Sequence, residues 1–176
     1  MYRTRPDRVF REPLAPGAAG VKRTLELMRQ LVQDGKQHVL VRNVAGGVLR
    51  DSQARPTDDV GEARALLRWV ADHIRYTRDI EGVETLQAPW ITIAEGIGDC
   101  DDKSTLLAAM LKATGNRAQL SFRAIGTNPT RPGAFGHVYL VARMPGGVRM
   151  SLDPTREGTL AGWEFPRPTV AMEVPI

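Results

Sequence analysis

Cys100, His137 and Asp153 are the residues whose types and order point to chemistry in this chain. Cys100 is the only cysteine among 176 residues. A thiol acts as a nucleophile through its thiolate, which needs a cationic or basic partner. A histidine can take the thiol proton, and a carboxylate can fix the tautomer of that histidine. The chemistry such a trio performs is acyl transfer. The thiolate attacks an amide or other acyl carbon, a thioester forms, and water or an amine resolves it. Taken alone, Cys100 reads as a small buried apolar residue, His137 as a strand-edge residue, and Asp153-Pro154 as a turn-opening pair. The case for chemistry lies in their combination.

The elements that must position them can be read from pattern. Gly98-Asp99 precedes Cys100, and Leu106, Leu107, Met110 and Leu111 then recur at helical spacing up to Gly115. Asp99 is a good N-cap type. Cys100 therefore falls at the positive end of a helix, where a thiolate is stabilised. Asp101 and Asp102 oppose that effect. They read as first-turn dipole partners, with a substrate-proximal role as the alternative. The segments 137–144 and 148–152 alternate as strands about Pro145-Gly146-Gly147. Folding this hairpin pairs residues whose numbers sum to about 290–293, so His137 faces a residue between 153 and 156. Asp153 is thereby expected beside His137. The resulting imidazolium would supply the cation that Cys100 needs. The Cys100 backbone amide, in the unpaired first turn, is aimed to bind an oxyanion. Gln87 and Trp90 lie upstream and are further candidates for an oxyanion N–H.

Elsewhere the pattern predicts helices over 20–34 and about 60–76, the second opened by a capping-box-like Asp59-Val60-Gly61-Glu62. It predicts a short strand over 37–42, a turn at Gly46-Gly47, a loop over 77–97 and a strand over 118–125. Residues 126–136 read as a long loop over His137. His73 shares a helix face with Trp69 and reads as structural, and His38 as surface or strand edge. Residues 1–17 and 156–176 are rich in proline and read as an extended N-terminal arm and an extended C-terminal tail, around a domain spanning 18–155.

The spellings GDCDDKSTLLAAMLKATG, GHVYLVA and SLDPT, in that order, resemble the transglutaminase-like branch of the papain-like fold. The lead-in LLRWVADHIRYTRD is similar too, with Trp69, Val70 and Tyr76 at its apolar and aromatic positions. The best-matched core is 60–155. The resemblance implies an α+β fold with a cysteine helix at the N-terminal side, packed on an antiparallel β-sheet that carries the histidine and the aspartate. It implies a cysteine peptidase or amidase, a protein crosslinker, or an inactive member. The doubled acid of GDCDD also resembles bacteriophage and prophage proteins, which implies a place in a phage particle and a cell-wall peptide as substrate. The chain lacks the length and accessory domains of the animal crosslinking enzymes, and Asp99-Cys100-Asp101-Asp102-Lys103 lacks the turn glycine and final glutamate of a calcium loop. Hydrolysis is therefore expected over transamidation, with no cofactor.

Composition sets the outer bounds. One cysteine closes no internal disulfide, and with three scattered histidines it lacks zinc-ligand spacing. No apolar run is long enough for a membrane span or a signal segment, so synthesis in the cytoplasm is expected. The net charge of +4 is uneven: residues 1–50 carry ten Lys/Arg against four Asp/Glu, and the remainder fourteen against sixteen. The basic excess is spread out and lies away from the cysteine, so it reads as a solvated face, not a nucleic-acid site. Partners are then a peptide or protein amide substrate and proteins docked on the proline-rich termini. The second functional reading is a non-enzymatic assembly protein on the same fold.

Overall fold

The protein was analysed as a computed structural model that describes residues 9–13, 17–55, 57–78, 83–156, 158 and 161–176. The rest of the expected N-terminal arm, residues 1–8 and 14–16, lies outside the described residues. The fold is α+β, as expected from the sequence. The elements run β1 (Val9–Pro13), α1 (Gly17–Gly35), α2 (Val39–Asp51), α3 (Asp59–His73), β2 (Arg75–Tyr76), β3 (Val83–Gln87), α4 (Pro89–Glu95) and β4 (Ile97–Gly98). The second half holds α5 (Cys100–Ala113), β5 (Gln119–Gly126), β6 (His137–Arg143), β7 (Arg149–Leu152) and β8 (Val170–Pro175).

Helix α5 is the centre. Every residue from Asp101 to Leu111 is buried, the mark of a helix surrounded on all sides. It packs against α1, α2, α3 and α4 and against β6. Its start is fixed by a capping box: Asp99 Oδ1 accepts the amides of Asp101 and Asp102 at 3.0 and 3.1 Å, and Asp102 Oδ2 accepts that of Asp99 at 3.4 Å. Its end follows the sequence signal. Gly115 takes φ +80°, and the amides of Gly115 and Asn116 close on the carbonyls of Lys112 and Leu111.

The four-stranded sheet has the order β7-β6-β5-β8 and is antiparallel throughout. One face supplies Leu120, Phe122, Ala124, Val138, Leu140, Ala142, Met150 and Leu152 to the core shared with α5. The other face carries a smaller cluster of Ile125, Tyr139 and Val141. Residues 162–163, between β7 and β8, are fastened to β7 at Ser151. There Gly162 donates to the Ser151 carbonyl at 2.8 Å, and the Ser151 hydroxyl donates to the Trp163 carbonyl.

Several expectations change. Residues 37–42 are no strand, and Gly46-Gly47 is no turn, because α2 starts at Val39, just after its cap His38, and runs on through both glycines. Buried Val41 and Ala45, one turn apart, tie that helix to the core. Glycine's helix penalty, about 1 kcal/mol against alanine, is offset by this packing. The cap of α3 is Asp58, which accepts the Gly61 amide, while the Asp59 carboxylate pairs with Arg117. The loop expected over 77–97 contains β3, α4 and β4. The C-terminal stretch expected as an extended tail contains β8, which pairs with β5 from Ser121↔Pro175 to Gly126↔Val170. The β1–β3 pair likewise draws residues 9–13 of the arm onto the domain.

Candidate active site

Cys100 is the first residue of α5 and is half-buried. Its Sγ–H donates to Asp101 Oδ1 at 3.4 Å. Burial, followed by the carboxylates of Asp101 and Asp99, pushes the thiol well above its usual range, while the Val138 backbone N–H pulls it back down. At rest the group is a neutral thiol. The Val138 contact also fixes its location: the sulfur lies against the start of β6, one residue from His137. Ser104, one turn along α5, fastens the same point by donating to the Val138 carbonyl at 3.3 Å.

His137 opens β6. Its Nε2 and Asp153 Oδ2 are 2.8 Å apart, with side chains 22% and 2% exposed. The last β6–β7 pair is Leu140↔Leu152. Extending that register sets Asp153 across from Tyr139 and Thr155 across from His137. Asp153 therefore reaches the imidazole along the diagonal of one sheet face, within the range that long side chains bridge. Burial would raise the Asp153 carboxyl. The His137 hydrogen bond and charge, with bonds from the Thr155 hydroxyl at 2.7 Å and amide at 3.0 Å, hold it below the usual carboxylate range instead. A carboxylate only accepts, so Nε2 carries the proton and Nδ1 is the basic nitrogen.

The other candidates have separate places. Asp102 is 2% exposed and accepts the Gln87 amide at 2.7 Å and Gln87 Nε2 at 3.2 Å. It is part of the interior, where its carboxylate joins β3 to the first turn of α5. Trp90 stacks on His38, ring centroids 4.6 Å apart, and so wedges α4 against the start of α2. The oxyanion role read for Trp90 gains no support from this placement. His38 is not a lone surface residue: its Nδ1 caps α2 by accepting the Leu40 amide at 3.3 Å. His73 stacks on Trp69 at 4.7 Å, as its structural reading requires. Asp99, Cys100 and Asp101 bring ligand-type atoms within 4.8 Å of one another. Asp99 Oδ1 serves the helix amides and Asp101 Oδ1 the thiol, which accounts for both without a metal.

Two further residues border the site. Tyr76 pairs with Gly98 in the short parallel β2–β4 ladder. Burial raises the pKa of its phenol, and the negative charges that Cys100 and Asp99 carry when ionised add to this, so the hydroxyl lies within electrostatic reach of the sulfur. In the sequence Tyr76 is only an aromatic of the lead-in. A two-residue strand carries no periodicity that would reveal its partner. Lys103, 2% exposed, donates to the Ile74 carbonyl at 2.6 Å and so holds the exit of α3, from which Tyr76 follows.

Comparison with known proteins bears on the family and the fold. The family model of the transglutaminase-like superfamily matches residues 47–154, a span that includes Cys100, His137 and Asp153. Among solved structures, one from Parabacteroides distasonis ATCC 8503, provisionally described as a protease, superposes with a TM-score of 0.56 at 12% identity. It shares 79% of this chain and 27% of its own. Another, from Cytophaga hutchinsonii and provisionally described as a cysteine protease, gives a TM-score of 0.47 at 17% identity, over 66% of this chain and 38% of its own. The chain thus spans well under half the length of either. No curated protein matches the sequence. The family match covers more than half of the chain and includes all three candidate residues, and on that ground the chain belongs to the transglutaminase-like superfamily.

Proposed function

We propose that the protein is a cysteine-dependent amide hydrolase in which Cys100 is the nucleophile, His137 the base and Asp153 its orienting acid. The observation that supports this reading most is the part-buried His137–Asp153 pair at the end of β6 whose next amide, that of Val138, faces the Cys100 sulfur. Nδ1 of His137 takes the thiol proton as Sγ bonds to the acyl carbon. The carbonyl oxygen becomes an oxyanion, held by the Cys100 N–H and by one N–H of Gln87. Collapse breaks the C–N bond, and His137 returns its proton to the departing amine. Water, deprotonated by His137, then cleaves the thioester and regenerates the thiol. Asp153 keeps Nε2 protonated and stabilises the imidazolium throughout.

A peptide as substrate is supported by family membership alone. The finer parts of the proposal, a bacterial cell-wall peptide and a place in a phage particle, are supported by the GDCDD spelling. One observation favours the second reading, a non-catalytic assembly protein: the thiol is held neutral by burial and by Asp101. Exposure to p-nitrophenyl acetate separates the two. The hydrolase reading expects an acetyl adduct on Cys100 by mass spectrometry, lost in His137→Ala and turned over in the wild type. A wild-type protein that is never acetylated refutes it.

A further inference from the structure

We propose that Asp102 is a positioning residue, which holds the Gln87 side-chain amide so that an N–H is turned toward the acyl centre at Cys100. This inference rests on the hydrolase reading above.

A helix cap needs only a fraction of what Asp102 does. Its Oδ2 meets the Asp99 amide at 3.4 Å, the long member of the capping box. Its two stronger contacts go to one residue fifteen positions earlier, Gln87, whose backbone N lies at 2.7 Å and Nε2 at 3.2 Å. The carboxylate is buried, and an ionised carboxylate is only an acceptor. It therefore dictates which end of the Gln87 amide faces it. The nitrogen turns inward to Asp102, and Oε1 is left buried without a hydrogen-bond partner. An unmade bond of that kind is costly. Turning the amide over would set Oε1 against Oδ2, so the carboxylate prevails. With one Nε2 hydrogen on Asp102, the second is the donor left for an oxyanion.

The loop before the nucleophile rests on the same carboxylate. A Cβ at Gly98 would lie 2.8 Å from Asp102 Cβ and 3.3 Å from its Oδ2. Only a residue without a side chain lets the strand into Cys100 settle on Asp102. The acid thus joins the amide donor on β3, the lead-in on β4 and the helix of the nucleophile.

Asp102→Asn tests this. It keeps the shape but replaces one acceptor by a donor, which should turn the Gln87 amide over. With p-nitrophenyl acetate as probe, acetylation of Cys100 should slow about 10²-fold, the cost of one oxyanion donor. Alkylation by iodoacetamide forms no oxyanion and should be little changed. Gln87→Ala should lose as much, and Gln87→Ala/Asp102→Asn no more than either single variant. Asp102→Glu, which keeps the acceptor, should recover part of the rate. Additive losses, an equal loss in alkylation, or no loss would overturn the proposal. If wild-type Cys100 is not acetylated at all, the hydrolase reading fails separately. The side-chain amide resonances of Gln87 then decide: Asp102→Asn must shift them, and unshifted resonances overturn the clamp.

Discussion

Asp101→Asn should make Cys100 react faster. In the resting protein the thiol donates to Asp101 Oδ1 at 3.4 Å, and that carboxylate opposes ionisation of the sulfur. Unit charges at this separation repel by about 1.2 kcal/mol in bulk water and about 5 kcal/mol at an effective dielectric of about 20. Asp101 is 8% exposed, so the lower figure is a floor. Removing the charge raises the thiolate fraction at neutral pH by about tenfold or more. A less basic thiolate is also a weaker nucleophile, with a Brønsted slope of about 0.4–0.5, which cancels nearly half of the gain on a logarithmic scale. Iodoacetamide should therefore alkylate Asp101→Asn about 3- to 100-fold faster than wild type near neutral pH. The plateau of the rate at alkaline pH should be lower, because the thiolate is weaker. The assay is the pH profile of alkylation followed by intact mass. A variant that labels no faster than wild type would refute the electrostatic account of the resting thiol.

Asp153 is ionised at lower pH in the folded state than in the unfolded chain. Its contribution to stability is present above the unfolded value, about 3.9, and is lost as pH falls through the lower folded value. Urea midpoints should fall on the acid limb, and Asp153→Asn should flatten that limb. Above the unfolded pKa of cysteine, about 8.5, the raised thiol of Cys100 has the opposite sign: stability falls as pH climbs toward the folded value, and Cys100→Ala should remove that alkaline loss. Phe122→Ala, at a fully buried core site, should cost about 3–5 kcal/mol in denaturant titration. Gly98→Ala places a methyl group against Asp102 and should lower both the melting temperature and the acetylation rate. Loss of neither would show that the lead-in does not rest on that acid.

The legible parts of the sequence are those whose signal is local. The β6–β7 hairpin could be indexed because a tight turn and a period of two fix its register, and the observed pairs sum to 292 (Leu140↔Leu152), inside the expected range. Helix α5 could be read from Asp99 and Gly115, which close its two ends. The stretch 39–51 could not, since Val-Leu-Val followed by Gly-Gly carries strand and turn propensity, and only packing of Val41 and Ala45 makes it a helix. Tyr76 and Gly98 meet through two-residue strands, too short for any periodicity. The clamp of Asp102 on Gln87 and the stack of Trp90 on His38 join residues distant in sequence, and their residue types alone do not name the partners.

The strand order β7-β6-β5-β8 also sets a timetable. A chain made N-terminus first releases the α5 thiol well before the β6 imidazole, and the β7 acid follows that. Strand β8 lies later still and closes the other side of β5. The groups of the proposed relay therefore leave the ribosome as thiol, imidazole and acid in turn, so the α5 thiol exists before any base that could take its proton.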